Sequence, residues 1–193
     1  MSNTPSTPSS TTANVVFTTD LWSIALLLFS VSISLVASGF FTSYLGLRIV
    51  DQGTSTFWVG LIQSCVYLGL VMGGLLSGRA ISLFGLKNAA RFFWFGVAIS
   101  AMGFAASDNL GFWFACRFLM GIALAGVYSC VESWLHLAAQ DRFRGRLFAV
   151  YLIANFSSIA LGQYLLPTVM DSSTSGFLIG ALIYITALVP VSF

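Results

Sequence analysis

Charge is what this sequence lacks most. Eight Lys/Arg and six Asp/Glu make up 7% of its 193 residues, where a soluble domain carries roughly a quarter. So few charges cannot cover the surface of a water-soluble fold. The net charge of +2 is also too small and too dispersed for a nucleic-acid-binding surface, so nucleic acid is excluded as a partner. Histidine occurs once, at His136, and the three cysteines, Cys65, Cys116 and Cys130, each sit inside an apolar run. That pattern fits neither a metal site nor a secreted disulfide framework, and neither a metal nor a cofactor is expected. Without a Ser/His/Asp or metal-ligand cluster inside the runs, an enzyme is not expected either.

What is abundant is hydrocarbon: 58% of residues are hydrophobic and the mean hydropathy is +0.92. A helix needs about twenty mostly apolar residues to cross a bilayer core about 30 Å thick. Six such runs occur, near Leu21–Leu47, Phe57–Leu76, Phe92–Ala106, Phe112–Leu137, Leu147–Leu166 and Phe177–Phe193. The expected fold class is an all-α membrane protein with six transmembrane helices over residues 20–193. Residues 1–19, rich in Ser, Thr and Pro, read as a disordered cytoplasmic tail, since they lack the basic segment that opens a signal peptide. Trp22, Trp58, Trp113 and Trp134 fall near run ends and read as headgroup anchors.

Loop charges give an orientation, because Lys and Arg collect on the cytoplasmic side. Arg79, Lys87 and Arg91 follow the second run, Arg142, Arg144 and Arg146 follow the fourth, and Asp51, Asp108 and Asp171 mark the opposite side. The amino terminus and the end of the sixth run are thus expected in the cytoplasm of a cell whose plasma (inner) membrane holds the chain. Four-residue glycine spacings, Gly69 with Gly73 and Gly74 with Gly78, and Gly121 with Ala125, are expected where helices approach closely.

A charge inside hydrocarbon is costly and normally faces a partner or a watery path. Arg117 lies about one-third of the way along the fourth run, with no carboxylate at its depth. Its expected partner is a substrate anion, a backbone carbonyl or a group from segments absent from this sequence. A structural tie is the alternative to a transport role. Glu132, about 22 Å further along the same helix, is expected to meet Arg79, Arg144 and Arg146 in a cluster at the cytoplasmic helix ends. That cluster reads as a gate or as a permanent clamp. Gln63, Asn155 and Gln163 are mid-depth polar groups that either line a path or bond between helices, with Tyr151 and Ser158 on the Asn155 stripe. His136, beside Trp134, reads as interfacial.

The stretch GLLSGRAISLFGLKNAAR, Gly74 to Arg91, resembles the loop motif G-x-L-a-D-R-x-G-R-K of the major facilitator superfamily. Gly74, Leu76 and Arg79 match, while Gly78 replaces the motif's acid, so that acid's gating role does not carry over. Arg117 and Gly121 resemble the superfamily's R-x-x-x-G signature, which in proton-coupled members is associated with proton transfer, and Ala123 stands at its second glycine. Glu132-Ser133-Trp134, Arg144-Gly145-Arg146 and Gly162-Gln163 are similar to a bacterial branch with E-S-W, R-G-R and G-Q motifs. The fifth run lacks the Gly- and Pro-rich signature of drug/proton antiporters.

The resemblance implies the amino-terminal half of a twelve-helix fold, built as two inverted three-helix repeats, which moves a small solute by alternating access. A second six-helix half, either a missing carboxy-terminal half or a second copy, would be the partner. The alternative is a half-size or truncated membrane protein that does not transport by itself and serves as an interaction subunit.

Overall fold

The computed structural model describes residues 10–138, 144–169 and 175–191, with side chains over 25–136, 145–146, 148–167 and 176–189. Every element among them is helical: α1 (Ser10–Asp51), α2 (Thr56–Phe84), α3 (Leu86–Ala106), α4 (Leu110–Ala138), α5 (Arg144–Tyr164), a 3₁₀ turn (Leu166–Val169), α6 (Ser175–Thr186) and the short α7 (Leu188–Val191).

The turns are where residue chemistry stops and restarts the helices. Gly53, at φ 70°, reverses the chain after α1, and the Ser55 hydroxyl caps α2 by accepting from the Phe57 N–H. The Asn109 carboxamide accepts from the Phe112 N–H and opens α4 in the same way. Between α2 and α3 a single residue, Gly85 at φ 75°, makes the break, and its N–H donates to Ile81 O.

Several run boundaries move. α1 begins at Ser10 rather than near Leu21, within the segment that composition assigns to the tail. Once nucleated, a helix propagates through polar residues at little cost. α2 continues past Leu76 and Arg79 to Phe84, and α3 starts at Leu86 rather than Phe92. Arg79, Lys87 and Arg91 therefore ride on helix ends, not in a loop. Among the described residues, four helices are long and apolar enough to cross a membrane, over Ala25–Asp51, Thr56–Phe84, Leu86–Ala106 and Leu110–His136. α5 has 21 residues and α6 has 12.

The five most extensive helix pairings are α2 with α4, α3 with α4, α1 with α5, α3 with α6 and α1 with α6. Exchanging α1 with α4, α2 with α5 and α3 with α6 leaves this set of pairs unchanged. Glycines make both long crossings: a Cβ at Gly69 or Gly121 would strike Phe118 O or Val66 O across the α2–α4 seam, and one at Gly39 or Gly162 would strike Ile159 O or Val36 O across α1–α5. Gly73 and Ala125 meet in the α2–α4 seam as expected. Gly74 and Gly78 have open space in front of them instead, because they lie on the outward side of α2.

Aromatic rings fill the centre between α1, α3, α4 and α6. Phe41 meets Phe104 edge-on at 4.9 Å and Phe177 at 5.6 Å, and Phe177 lies 5.5 Å from Trp113. Trp113 is fully buried, its indole N–H donating to Ser107 O at 2.6 Å. It closes the α3–α4 turn from inside and is not the headgroup anchor its position in the sequence implied.

Candidate functional site

The polar atoms deep in the bundle converge on Arg117. It lies two turns into α4, about 10 Å from that helix's start, and is 3% exposed. Its Nη2 donates to Gln63 Oε1 on α2 at 2.6 Å and to Thr42 Oγ1 on α1 at 2.9 Å. Its Nη1 reaches only the Met120 sulfur, at 3.5 Å, and its Nε has no hydrogen-bond partner. The Phe41 ring lies beneath the guanidinium, 6.0 Å from ring centre to Cζ.

Gln63 is held at both ends. Its Nε2 donates to Thr42 O at 2.7 Å, using the second lone pair of a carbonyl already inside a helix. A donor-only guanidinium on one side and an acceptor-only carbonyl on the other fix which way the carboxamide points. Thr42 therefore contributes twice, with its hydroxyl to Arg117 and its carbonyl to Gln63, and one small network ties α1, α2 and α4. Arg117 thus bonds neutral side-chain oxygens of α1 and α2, partners that were not among those expected from the sequence. Thr42 and Phe41 went unnoticed because a threonine and a phenylalanine in an apolar run carry no distinguishing signal.

Asn155 lies half-buried on α5, and its Oδ1 is enclosed without a hydrogen-bond partner. Tyr151 and Ser158, on the same stripe, are both buried. Gln163 is exposed, one residue beyond the Gly162 crossing with α1. Neither residue joins the Arg117 network.

The predicted cytoplasmic cluster is not assembled among the described residues. Glu132, Arg79 and Arg146 are all exposed and no ion pair joins them; the Arg144 side chain lies outside the described residues. At an exposed helix end water solvates these charges, and little energy is gained by holding long side chains together. His136 stacks near Phe148 at 5.1 Å, and among the described residues the one ion pair is Arg48 with Asp108, at 3.5 Å. Gln52 Nε2 also donates to Asp108, so the α1 end is bound to the α3–α4 turn.

A family model described as "Sugar (and other) transporter" matches residues 3–189. The chain belongs to the major facilitator superfamily. It is 31% identical over 169 residues to an MFS-type transporter of Yersinia pestis (strain Pestoides F), covering 87% of this chain and 43% of that protein. It is 30% identical over 146 residues to the MFS-type transporter YcaD of Escherichia coli O45:K1, covering 76% of this chain and 38% of the relative. The chain thus spans less than half the length of these curated relatives. Membership in this superfamily makes it a multi-pass membrane protein of a transporter family, not an enzyme.

Proposed function

We propose that this chain forms the amino-terminal six-helix half of a secondary transporter that carries a small solute across the cell (inner) membrane by alternating access. The observation that carries this reading is the Arg117–Gln63–Thr42 network: a charge and two polar side chains, from three helices, concentrated inside an otherwise apolar bundle. Isolated membrane helices have no use for such a group, whereas a solute path does.

The exchange-invariant helix pairing supports two three-helix repeats, α1–α3 and α4–α6. In this reading α5 and α6 also cross the bilayer, and two polar residues of α5, half-buried Asn155 and exposed Gln163, face a second six-helix half across the solute path. That face is polar because it meets water and solute rather than lipid. The basic residues Arg79, Lys87, Arg91 and Arg146 put their ends of the helices, and the amino terminus, in the cytoplasm. Glu132, Arg79, Arg144 and Arg146 then act as a gate only when the second half closes against them; of these, Glu132, Arg79 and Arg146 form no ion pair with one another in this half.

Uptake in vesicles tests the proposal. The chain is reconstituted alone and together with the carboxy-terminal half of its Yersinia pestis relative, and both preparations are offered a panel of labelled sugars and organic acids. Uptake by the paired halves and not by the chain alone is the expected result. Uptake by neither refutes transport and favours an interaction subunit.

A further inference from the structure

Arg117 is one negative charge short. Its guanidinium is buried against two neutral oxygens, a sulfur and a ring face, and its Nε has no hydrogen-bond partner. Among the described residues the one ion pair, Arg48 with Asp108, lies elsewhere, and no carboxylate pairs with Arg117. The guanidinium fork presents parallel N–H groups suited to a carboxylate, and burying its charge without an anion is costly.

The Gln63 carboxamide holds a place of that kind. Its Oε1 sits 2.6 Å from Nη2, as one oxygen of a carboxylate would, but carries no full charge. Gln63 is half-exposed where Arg117 is buried, and Tyr67, one turn further along α2, is exposed on the same face. An incoming molecule therefore meets Gln63 before it meets Arg117.

We infer that the solute handled here is a small organic monoanion, whose carboxylate displaces the Gln63 carboxamide oxygen and pairs with Arg117. The inference rests on the transport reading and names its substrate class. One guanidinium balances one charge, which selects a monocarboxylate over a dianion. The Thr42 hydroxyl, accepting from Nη2, keeps its own proton to donate to the second carboxylate oxygen. Gln63 then acts as a stand-in acceptor that keeps the buried cation satisfied between turnovers.

The unfolding midpoint of the purified chain in detergent, at fixed ionic strength, tests this with sodium acetate, sodium lactate, sodium chloride and sorbitol. Acetate or lactate is expected to raise it saturably, by about 2–4 °C, with no matching rise in chloride or sorbitol. Arg117→Gln should abolish the rise. Gln63→Glu, which brings its own carboxylate, should abolish it as well while retaining the arginine. A rise shared with chloride, no rise in the wild type, or an undiminished rise in Gln63→Glu overturns the inference, and the last holds even if Arg117→Gln fails to fold. Uptake by the paired halves separates the two readings. Carboxylate binding without any uptake defeats transport and leaves the anion site standing. Uptake of an uncharged solute that neither carboxylate inhibits defeats the anion and leaves transport standing.

Discussion

Phe41 places its ring under the Arg117 guanidinium, 6.0 Å from its Cζ, while the edge of the same ring packs on Phe104 at 4.9 Å. One side chain thus joins the aromatic centre to the polar network. Phe41→Leu keeps most of the volume and loses the ring face, and should cost about 1–2 kcal/mol. Phe41→Ala also opens a cavity and should cost about 3–5 kcal/mol. Unfolding in detergent reads both, and equal losses in the two variants would separate the ring from the arginine.

The glycines divide into two groups that spacing alone does not distinguish. Gly121→Ala forces a methyl onto Val66 O and should destabilise by at least about 1–3 kcal/mol. Gly74→Ala meets nothing within 4 Å and should stabilise α2 by up to about 1 kcal/mol. Thermal melting of the pair, side by side, checks the α2–α4 seam.

Asn155 offers a separation of function from stability. Its enclosed Oδ1 makes no hydrogen bond while its side chain bonds Tyr151, so Asn155→Leu trades a relieved desolvation cost for one lost hydrogen bond and should change stability by no more than about 1 kcal/mol. Uptake by the paired halves should fall at the same time. A lower midpoint with unchanged uptake would reduce Asn155 to a packing residue.

The Arg48–Asp108 pair should contribute little. Asp108 is 68% exposed, so Asp108→Asn is expected to cost at most about 1 kcal/mol, and the difference should shrink further in high salt. A salt-insensitive loss well above that would mean the α3–α4 turn depends on the charge.

Glu132 is exposed and unpaired with Arg79 or Arg146, so Glu132→Gln should leave the stability of the chain alone within about 0.5 kcal/mol. In the paired halves it should change cysteine accessibility at the cytoplasmic helix ends, shifting the assembly away from the state closed there. Unchanged accessibility from both sides would remove Glu132 from the gate.

Apolar runs made the helices legible, because hydrocarbon length acts on each segment by itself. Helix ends were less so: α2 runs through Arg79 since nothing before Gly85 forbids helical geometry, and a charged side chain does not stop a helix. Arg117 stood out because a charge in an apolar run is rare. Gln63 stood out as a polar group but not as its partner, and Thr42 did not stand out, since both become its neighbours only when α1 and α2 cross α4. Glu132, Arg79 and Arg146 do not pair in this half, because opposite charges near one another in topology need not pair where water solvates both.

Gly85 has a consequence for how the protein is made. With one residue between α2 and α3, neither helix can slide along its axis without drawing the other with it. The two are expected to insert as a hairpin, and in the proposed orientation Arg79, Lys87 and Arg91, on either side of the bend, would hold it at the cytoplasmic face. A lengthened turn there would be expected to disturb assembly during translation before it disturbed the finished protein.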